Sequence, residues 1–461
     1  MTDGMLSRRD FLRGALAALG LAAIPAVRAQ PAARLLRAMQ GSVPLVGPDY
    51  PATGIWGYEG AVPGPELRFR QGERLRVALS NLLPADTTVH WHGIRLPNAM
   101  DGVPDLTQPP IAANGGRFDY QFVLPDAGTY WYHPHLGSPE QVGRGLYGAL
   151  IVEEPEPPAV DRDLVWMLGD WRLDRNAKLV EDFGNMMDAS HAGRIGNTVT
   201  VNGAIRESFE LRAGERLRLR LVNAATARIY ALEFRGHDPW VVALDGHPVE
   251  PHRPQRGRVV LGPAMRADLI LDAKGEPGGT YPVVDDFYPR RVYRLLDLSY
   301  AKTALRGGHA GAAIPQLRAN PVPEPDLARA QRHVVEFGGG MMGRMSRGMM
   351  RGGMAWTVNG VATREHDHEP FLKLALGRSV VLELVNDTQW HHPIHLHGHV
   401  FRVLSRDGRP TQHREWLDTV LLSPQERAQI AFVAENPGDW MFHCHVLEHQ
   451  SSGMMAVVRV A

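Results

Sequence analysis

Three stretches of the 461-residue chain repeat one pattern. They read FRQGERLRVALSNLLPADTTVHWHG, LRAGERLRLRLVNAATARIYALEFRG and LALGRSVVLELVNDTQWHHPIHLHG. In each stretch an asparagine follows a glycine by nine residues: Gly72 and Asn81, Gly214 and Asn223, Gly377 and Asn386. The alternating apolar residues between them, such as Leu75, Val77 and Leu79, are typical of a half-buried strand. The sequence therefore contains three copies of one β unit.

The segments between the copies are rich in proline. EEPEPPAV follows the first unit and ANPVPEPDL follows the second, which predicts domains at residues 34–154, 160–300 and 325–461. The chain has 48 glycines and 35 prolines, and short alternating apolar runs recur between them. This pattern is typical of strands rather than helices, so we predict an all-β fold.

Charge and cysteine content narrow the possible functions. With 50 basic and 50 acidic side chains and no long block of like charge, the chain lacks the basic footprint of a nucleic-acid-binding protein. Its one cysteine, Cys444, has no partner for an intramolecular disulfide. Cys444 is therefore either a free thiol with a chemical task or a small buried apolar residue.

The first residues have the pattern of an export signal. SRRDFLRGALAALGLAAIPAVRAQ contains Arg8 and Arg9, an apolar stretch and small residues up to Ala29. This predicts a twin-arginine signal peptide at residues 1–29 and a periplasmic or extracellular protein. A membrane anchor is the alternative, but the apolar stretch is shorter than the roughly 20 residues that a bilayer requires. No other segment is long and apolar enough, so we expect no membrane span after signal removal.

The outer copies carry histidines where the middle copy has Leu232 and Phe234. Further histidines follow in GTYWYHPHLG and GDWMFHCHVL. The four His-x-His pairs are His90 with His92, His133 with His135, His395 with His397, and His443 with His445. Two residues apart on a strand, side chains share a face. Any one pair could be a surface doublet, but four pairs in two repeat copies predict a metal site for copper, zinc, iron or nickel.

Cys444 narrows the choice of metal. On a strand its side chain points away from the face that carries His443 and His445, so it binds something else. Nearby stretches offer three further donors: His392, His449 and Met454. Two histidines, a thiolate and a weak methionine form a blue-copper site. A catalytic cysteine paired with histidine is the alternative, but it leaves the eight paired histidines unexplained.

HWHG, HPH, HPIHLHG and HCHVLEHQSSGMM resemble the copper motifs of multicopper oxidases of the laccase and cuprous oxidase kind. The resemblance implies three cupredoxin-like Greek-key β-sandwich or barrel domains and four copper ions. The implied type 1 ligands are His392, Cys444, His449 and Met454. The implied type 2 ligands are His90 and His395. The implied type 3 ligands are His92, His133, His135, His397, His443 and His445.

The family resemblance also implies a reaction. Electrons from a donor enter at the type 1 copper and pass through Cys444 to the three-copper cluster, where O2 becomes water. The cluster would lie between domains one and three, which leaves the middle domain as a spacer. We expect a monomer.

Oxygen reduction needs protons as well as electrons. Asp101, in NAMDGVPDL, resembles the family's acid near the type 2 copper and is also compatible with a simple Asp-Gly turn with Gly102. Many bacterial relatives have a second acid directly after the last type 1 histidine, whereas this chain has Gln450. Glu448 could replace it only if its side chain faced the cluster.

A methionine-rich stretch, GGGMMGRMSRGMMRGGM, spans residues 338–354. It contains Met341, Met342, Met345, Met349, Met350 and Met354. Thioethers prefer Cu(I), and the stretch resembles the insert of periplasmic cuprous oxidases of copper tolerance. An adaptable apolar lid is the alternative.

The resemblance and the axial methionine predict Cu(I) and phenolic or aromatic amine donors. Two alternatives stay open: a phenol-oxidising laccase without a Cu(I) role, and a non-catalytic periplasmic copper-binding or structural protein on the same scaffold.

Overall fold

The computed structural model describes residues 33–341, 353–364 and 367–461. The expected signal peptide, residues 1–29, lies outside the described residues. So do four of the methionines assigned to Cu(I): Met342, Met345, Met349 and Met350. Residues 34–461 form one compact unit, and strands dominate it, so the all-β prediction is confirmed.

The first segment (residues 34–153) contains eight strands. They are β1 (Arg34–Val43), β2 (Thr53–Tyr58), β3 (Leu67–Arg70), β4 (Arg74–Asn81), β5 (His90–His92), β6 (Gly116–Val123), β7 (Gly128–His133) and β8 (Gly148–Glu153). One sheet has the order β2-β1-β4-β6 and the other β3-β8-β7-β5. Strand β5 lies at the edge of the second sheet and pairs with β7 in the register His90 opposite His133.

The middle segment (residues 162–300) contains eleven strands. They are β9 (Arg162–Trp171), β10 (Thr198–Val201), β11 (Ser208–Leu211), β12 (Arg216–Asn223), β13 (Tyr230–Phe234), β14 (Trp240–Leu244), β15 (His247–His252), β16 (Arg258–Leu261), β17 (Arg266–Asp272), β18 (Thr280–Asp285) and β19 (Tyr293–Tyr300). The sheet orders are β10-β9-β12-β17-β14-β15 and β11-β19-β18-β13-β16. Leu232 and Phe234 on β13 are buried in this segment's own apolar core.

The described residues of the last segment (residues 331–460) form twelve strands. They are β20 (Gln331–Gly339), β21 (Trp356–Val358), β22 (Pro370–Leu374), β23 (Ser379–Asn386), β24 (His392–Leu396), β25 (Phe401–Arg406), β26 (Arg409–Pro410), β27 (Trp416–Leu417), β28 (Thr419–Leu422), β29 (Arg427–Val433), β30 (Gly438–Cys444) and β31 (Met455–Val460). One sheet has the order β21-β20-β23-β29-β25-β26, with β27 on β25, and the other β22-β31-β30-β24-β28.

In the described residues, helices are few and short. The α-helices there are α1 (Ser138–Gly143), α2 (Met186–Ser190) and α3 (Leu447–Ser451), and single 3-10 turns occupy Asn98–Met100 and Gln255–Gly257. None of the helices in the described part of the chain has the length and apolarity that crossing a bilayer requires.

The repeated glycine and asparagine have a structural cause. The three glycines precede β4, β12 and β23 with φ between +77° and +89°, a region that disfavours residues with a Cβ. The three asparagines end the same strands and are buried. Each side-chain amide donates to a carbonyl across the fold: Asn81 to Ile111, Asn223 to Leu261, and Asn386 to Ser423. The motif therefore starts and ends one strand in each copy.

Candidate metal centre

The eight paired histidines converge in the interior. Each is at most 2 % exposed. In the first segment, β5 carries His90 and His92, β7 ends at His133, and His135 follows it. In the last segment, β24 and β30 pair His395 opposite His443, and His397 and His445 follow directly after these strands. The Nε2 atom of His443 lies 3.1 Å from Nε2 of His397 and 3.4 Å from Nε2 of His135. The first and last segments therefore contribute to one group of three histidines, His135, His397 and His443, that could hold a metal ion.

In four of the eight rings, a backbone carbonyl holds Nδ1 in place. These Nδ1–H groups donate to carbonyl oxygens at 2.8–3.0 Å: those of His90 to Asp101, His133 to Pro134, His395 to Asp418, and His443 to Cys444. In the first three of these rings, Nε2 is buried and has no hydrogen-bond partner among the described residues. A neutral imidazole held at Nδ1 leaves a lone pair on Nε2, which is the form that binds metals.

Burial favours the neutral form of five of the paired histidines. Desolvation, followed by the neighbouring imidazoles, holds the pKa values of His135, His397 and His443 well below the usual range. The same is true of His133 and His445. A site that keeps so many imidazoles unprotonated is suited to a cation that needs nitrogen lone pairs.

Asp101 lies directly behind two of the rings. Its Oδ2 accepts a hydrogen bond of 2.8 Å from Nδ1 of His397, and its Oδ1 lies 3.3 Å from Nδ1 of His90. Gly102 follows it with φ +83°, and a Cβ there would lie 1.9 Å from the carbonyl oxygen of Val89. The Asp-Gly turn thus packs tightly against β5 and brings the carboxylate to the rings.

A second buried carboxylate, Asp418, was not predicted from the sequence. Its Oδ1 lies 3.0 Å from Nε2 of His92 and accepts a hydrogen bond from the hydroxyl of Thr419. The guanidinium of Arg266, on β17 of the middle segment, pairs with the same carboxylate, and both side chains are fully buried. The middle segment therefore contributes a charge to the histidine cluster and is more than a spacer.

Cys444 lies on the opposite face of β30, as predicted. Its Sγ is 3.5 Å from Nδ1 of His392 and 3.7 Å from Nδ1 of His449, and these two nitrogens are 3.1 Å apart. Burial raises the pKa of the Cys444 thiol and lowers the pKa of His449 to about 3. We call Cys444, His392 and His449 the thiol site. A metal that binds there must displace the proton of the Cys444 thiol.

Three further predicted residues, Met454, Met341 and Met354, lie in the described part of the chain. Met454 is fully buried, and its carbonyl accepts a hydrogen bond from the Cys444 backbone N–H at 3.0 Å. Met341 is 47 % exposed and is the first methionine of the methionine-rich stretch. Met354 at the other end of that stretch lies near Gly453.

Gln450 and Glu448 lie in α3, on either side of His449 in the sequence. The amide of Gln450 is buried, and its Oε1 has no hydrogen-bond partner among the described residues. Glu448 is also buried, and desolvation raises the pKa of Glu448 to about 7. A Cβ added at Gly193 of the middle segment would lie 3.2 Å from its Oε2.

An apolar cavity of about 630 Å³ opens next to this site. Its lining includes Met187, His191, Ile195, Tyr288 and Trp390. The carbonyl of His191 accepts a hydrogen bond of 2.7 Å from Nε2 of His449. A molecule in the cavity would therefore contact His191, which is hydrogen-bonded directly to His449.

Comparison with known proteins explains this arrangement. Three family models described as multicopper oxidase match residues 44–157, 162–307 and 341–461. Multicopper oxidase MmcO of Mycobacterium tuberculosis is 32% identical over 444 residues, which cover 86% of this chain and 81% of that protein.

The chain belongs to the multicopper oxidase family. The resemblance seen in the four histidine motifs is thereby confirmed. The crystal structure of a multicopper oxidase from Pseudomonas thermotolerans matches with a TM-score of 0.84 and 39% identity, over 93% of this chain and 99% of that one. A copper resistance protein A homolog of Pseudomonas syringae pv. tomato is 28% identical, over 87% of this chain and 88% of that protein.

As a multicopper oxidase, the protein is an oxidoreductase that uses copper. The donors in the structure fit that metal. Neutral imidazoles, a thiol and a thioether are ligands that copper accepts, and an oxygen-rich site for magnesium or calcium is not formed by these residues.

Proposed function

We propose that this multicopper oxidase holds four copper ions and couples the oxidation of Cu(I) and of phenolic or aromatic amine donors to the reduction of O2 to water, in copper tolerance. One observation carries the proposal. The Sγ of Cys444 lies 3.5 Å from His392 Nδ1 on one face of β30, while Nε2 of its neighbour His443 lies 3.1 Å from Nε2 of His397 on the other.

The copper ligands follow from these two groups. We assign the type 1 copper to His392, Cys444, His449 and Met454. We assign the type 2 copper to His90 and His395. We assign the type 3 pair to His92, His133, His135, His397, His443 and His445. When bound, the copper ions supply one-electron transfer at the first site and four-electron reduction of O2 at the second.

The protein's own residues connect and orient the two sites. Cys444 is bonded through the backbone to both His443 and His445, so the shortest connection between the sites is covalent. Asp101 contacts the rings of His90 and His397 and is the buried carboxylate to which we assign proton supply.

The methionine-rich stretch supports Cu(I) as a donor. It starts next to the thiol site, because the backbone N–H of Met341 donates to the carbonyl of Ser190 at 3.0 Å, one residue before His191. Thioethers stabilise Cu(I) over Cu(II). The similarity to a protein named for copper resistance points the same way.

Oxygen uptake with Cu(I) and with a dimethoxyphenol tests this donor. Four methionines, Met342, Met345, Met349 and Met350, are replaced together by leucine in one variant and by serine in another. Leucine keeps an apolar cover but removes the thioethers. We expect both variants to lose Cu(I) oxidation and to keep phenol oxidation. If the leucine variant preserves Cu(I) oxidation, the stretch is a lid and its proposed role in binding Cu(I) is wrong.

The apolar cavity supports the second donor class. Its volume of about 630 Å³ accommodates a substituted phenol, and it borders His191. Ala192→Phe places a ring in the cavity without altering any proposed copper ligand. We expect a higher KM for dimethoxyphenol and an unchanged rate with Cu(I). An unchanged KM would exclude this cavity as the phenol site and leave Cu(I) as the favoured donor.

We also propose export to the periplasm through residues 1–29. Folded, metal-loaded substrates suit the twin-arginine route, and Arg8 and Arg9 are its signature. Cell fractionation of an Arg8→Lys, Arg9→Lys double variant tests it. Retention in the cytoplasm supports the proposal, and unchanged export contradicts it.

A further inference from the structure

Three consecutive backbone carbonyls at the end of α2 accept hydrogen bonds from residues of the last segment. Ala189 accepts from Nε1–H of Trp356 at 2.5 Å, and Ser190 accepts from the backbone of Met341 at 3.0 Å. The third, His191, accepts from Nε2–H of His449 at 2.7 Å. The last carbonyls of a helix have no partner within the helix. Here Trp356, Met341 and His449 of the last segment supply the partners.

We propose that this turn, residues 189–191 of the middle segment, is a positioning element that fixes the ring of His449 and thereby tunes the type 1 copper. The inference rests on the proposed copper site. A hydrogen bond at Nε2 places the lone pair of His449 on Nδ1, which is the atom nearest to Cys444 and His392. The same bond increases electron donation by the imidazole and so favours Cu(II) over Cu(I).

Aromatic packing and an ion pair hold the turn rigidly. The Trp356 ring that donates to Ala189 lies 4.2 Å from the ring of His449, so one side chain contacts both partners. On the other side, Asp188 forms a two-point ion pair with Arg172 at 2.7 and 2.8 Å. The position of the turn is therefore determined from both of its ends.

A glycine sets how closely the turn approaches. Gly193 has φ +80°, and a Cβ there would lie 2.5 Å from the side chain of Val446 and 2.6 Å from that of Ala227. Gly184, before α2, has φ +71° but no atom within 4 Å of such a Cβ. Alanine at either position strains the backbone similarly, but only Gly193→Ala forces the turn away from the thiol site.

The reduction potential of the blue copper measures the predicted effect. Gly193→Ala and Trp356→Phe are expected to keep the blue absorption and to raise the potential, because both weaken the bond from His449 to His191. The matched control, Gly184→Ala, is expected to keep the wild-type potential. Wild-type potentials in both test variants would overturn the positioning role. Trp356→Phe retains the ring, so it remains informative if Gly193→Ala does not fold.

A measurement on copper-free protein separates this inference from the proposed function. The Nε2–H proton of His449 should exchange slowly with solvent in the wild type and in Gly184→Ala, and faster in Gly193→Ala, as seen by NMR. Equal exchange in all three would refute the positioning role. A wild-type protein that shows this protection but no blue copper would refute the copper assignment instead and leave the contact intact.

Discussion

Arg266 and Asp418 form an ion pair in which both side chains are fully buried, with Nη1 2.8 Å from Oδ1. Burial by itself would raise the pKa of Asp418, but the guanidinium and the ring of His92 hold it well below its usual range. Asp245 receives the backbone N–H of Arg266 at 2.9 Å, and burial raises the pKa of Asp245 to about 7. One arginine therefore keeps a carboxylate charged beside the histidine cluster.

Replacing Arg266 should damage both stability and the metal centre. Arg266→Met leaves the Asp418 charge buried without its partner, which typically costs about 3–5 kcal/mol of unfolding free energy. We also expect lower copper content, since Asp418 holds His92 and His395. Urea unfolding and metal analysis measure the two effects.

Arg216→Met is the matched control for that variant. Arg216 is also buried and pairs with Asp272 at 2.6 Å, but its other partners are the carbonyls of Ala312 and Ala313. The Arg216→Met variant should lose stability and keep its copper. Equal copper loss in both variants would show that the effect is general destabilisation.

Cys444→Ser should abolish the blue absorption and donor oxidation, because a hydroxyl does not replace a thiolate as a copper ligand. Burying the hydroxyl in place of the thiol should cost about 1–3 kcal/mol in the copper-free protein. Absorption spectroscopy and denaturation measure these effects. Blue colour that survives the substitution would contradict the ligand assignment.

Asp101 can be tested with two substitutions. Asp101→Ala removes the acceptor for His397 and should weaken copper binding about 10–100-fold. Asp101→Asn keeps an oxygen acceptor, so copper should remain, while turnover falls about 100-fold or more if the carboxyl supplies protons. Metal content and oxygen uptake distinguish the cases. Full turnover by Asp101→Asn would limit Asp101 to holding the rings.

Copper-free protein should lose stability in acid. The unfolded histidines titrate near pH 6.5, whereas burial lowers the pKa of His449 to about 3 and of His247 to about 4. Below pH 6.5 the unfolded state binds more protons than the folded state. The free energy of unfolding therefore decreases as the pH is lowered, by up to about 1.4 kcal/mol per pH unit for each such ring. Denaturation at pH 7.5, 6 and 5 measures the slope. A flat profile would contradict buried neutral rings.

The sequence predicted the parts of the site that follow from local spacing. Alternation along a strand placed His443 and His445 on one face and Cys444 on the other, and the repeat identified equivalent histidines in two copies. The repeat alignment also placed Leu232 and Phe234 of the middle copy at the histidine positions, and both are buried in the structure.

The contacts from the middle segment could not be predicted in this way. Arg266 and Asp418 are 152 residues apart, and His449 and His191 are 258 residues apart. In the sequence Arg266 lies in an ordinary strand pattern, and His191 contributes a backbone carbonyl, which every residue possesses. Only the packing of the segments gives these residues a role, which is why the middle copy looked like a spacer.

The contact between His135 and His443 has a consequence for the chain as a polymer. The two residues are 308 positions apart in the sequence, and their Nε2 atoms are 3.4 Å apart. A copper ion bound between them would close a loop of that length, and closing long loops removes much of the freedom of an unfolded chain. In a protein with a single cysteine, the metal would thus serve as the cross-link that a disulfide cannot provide.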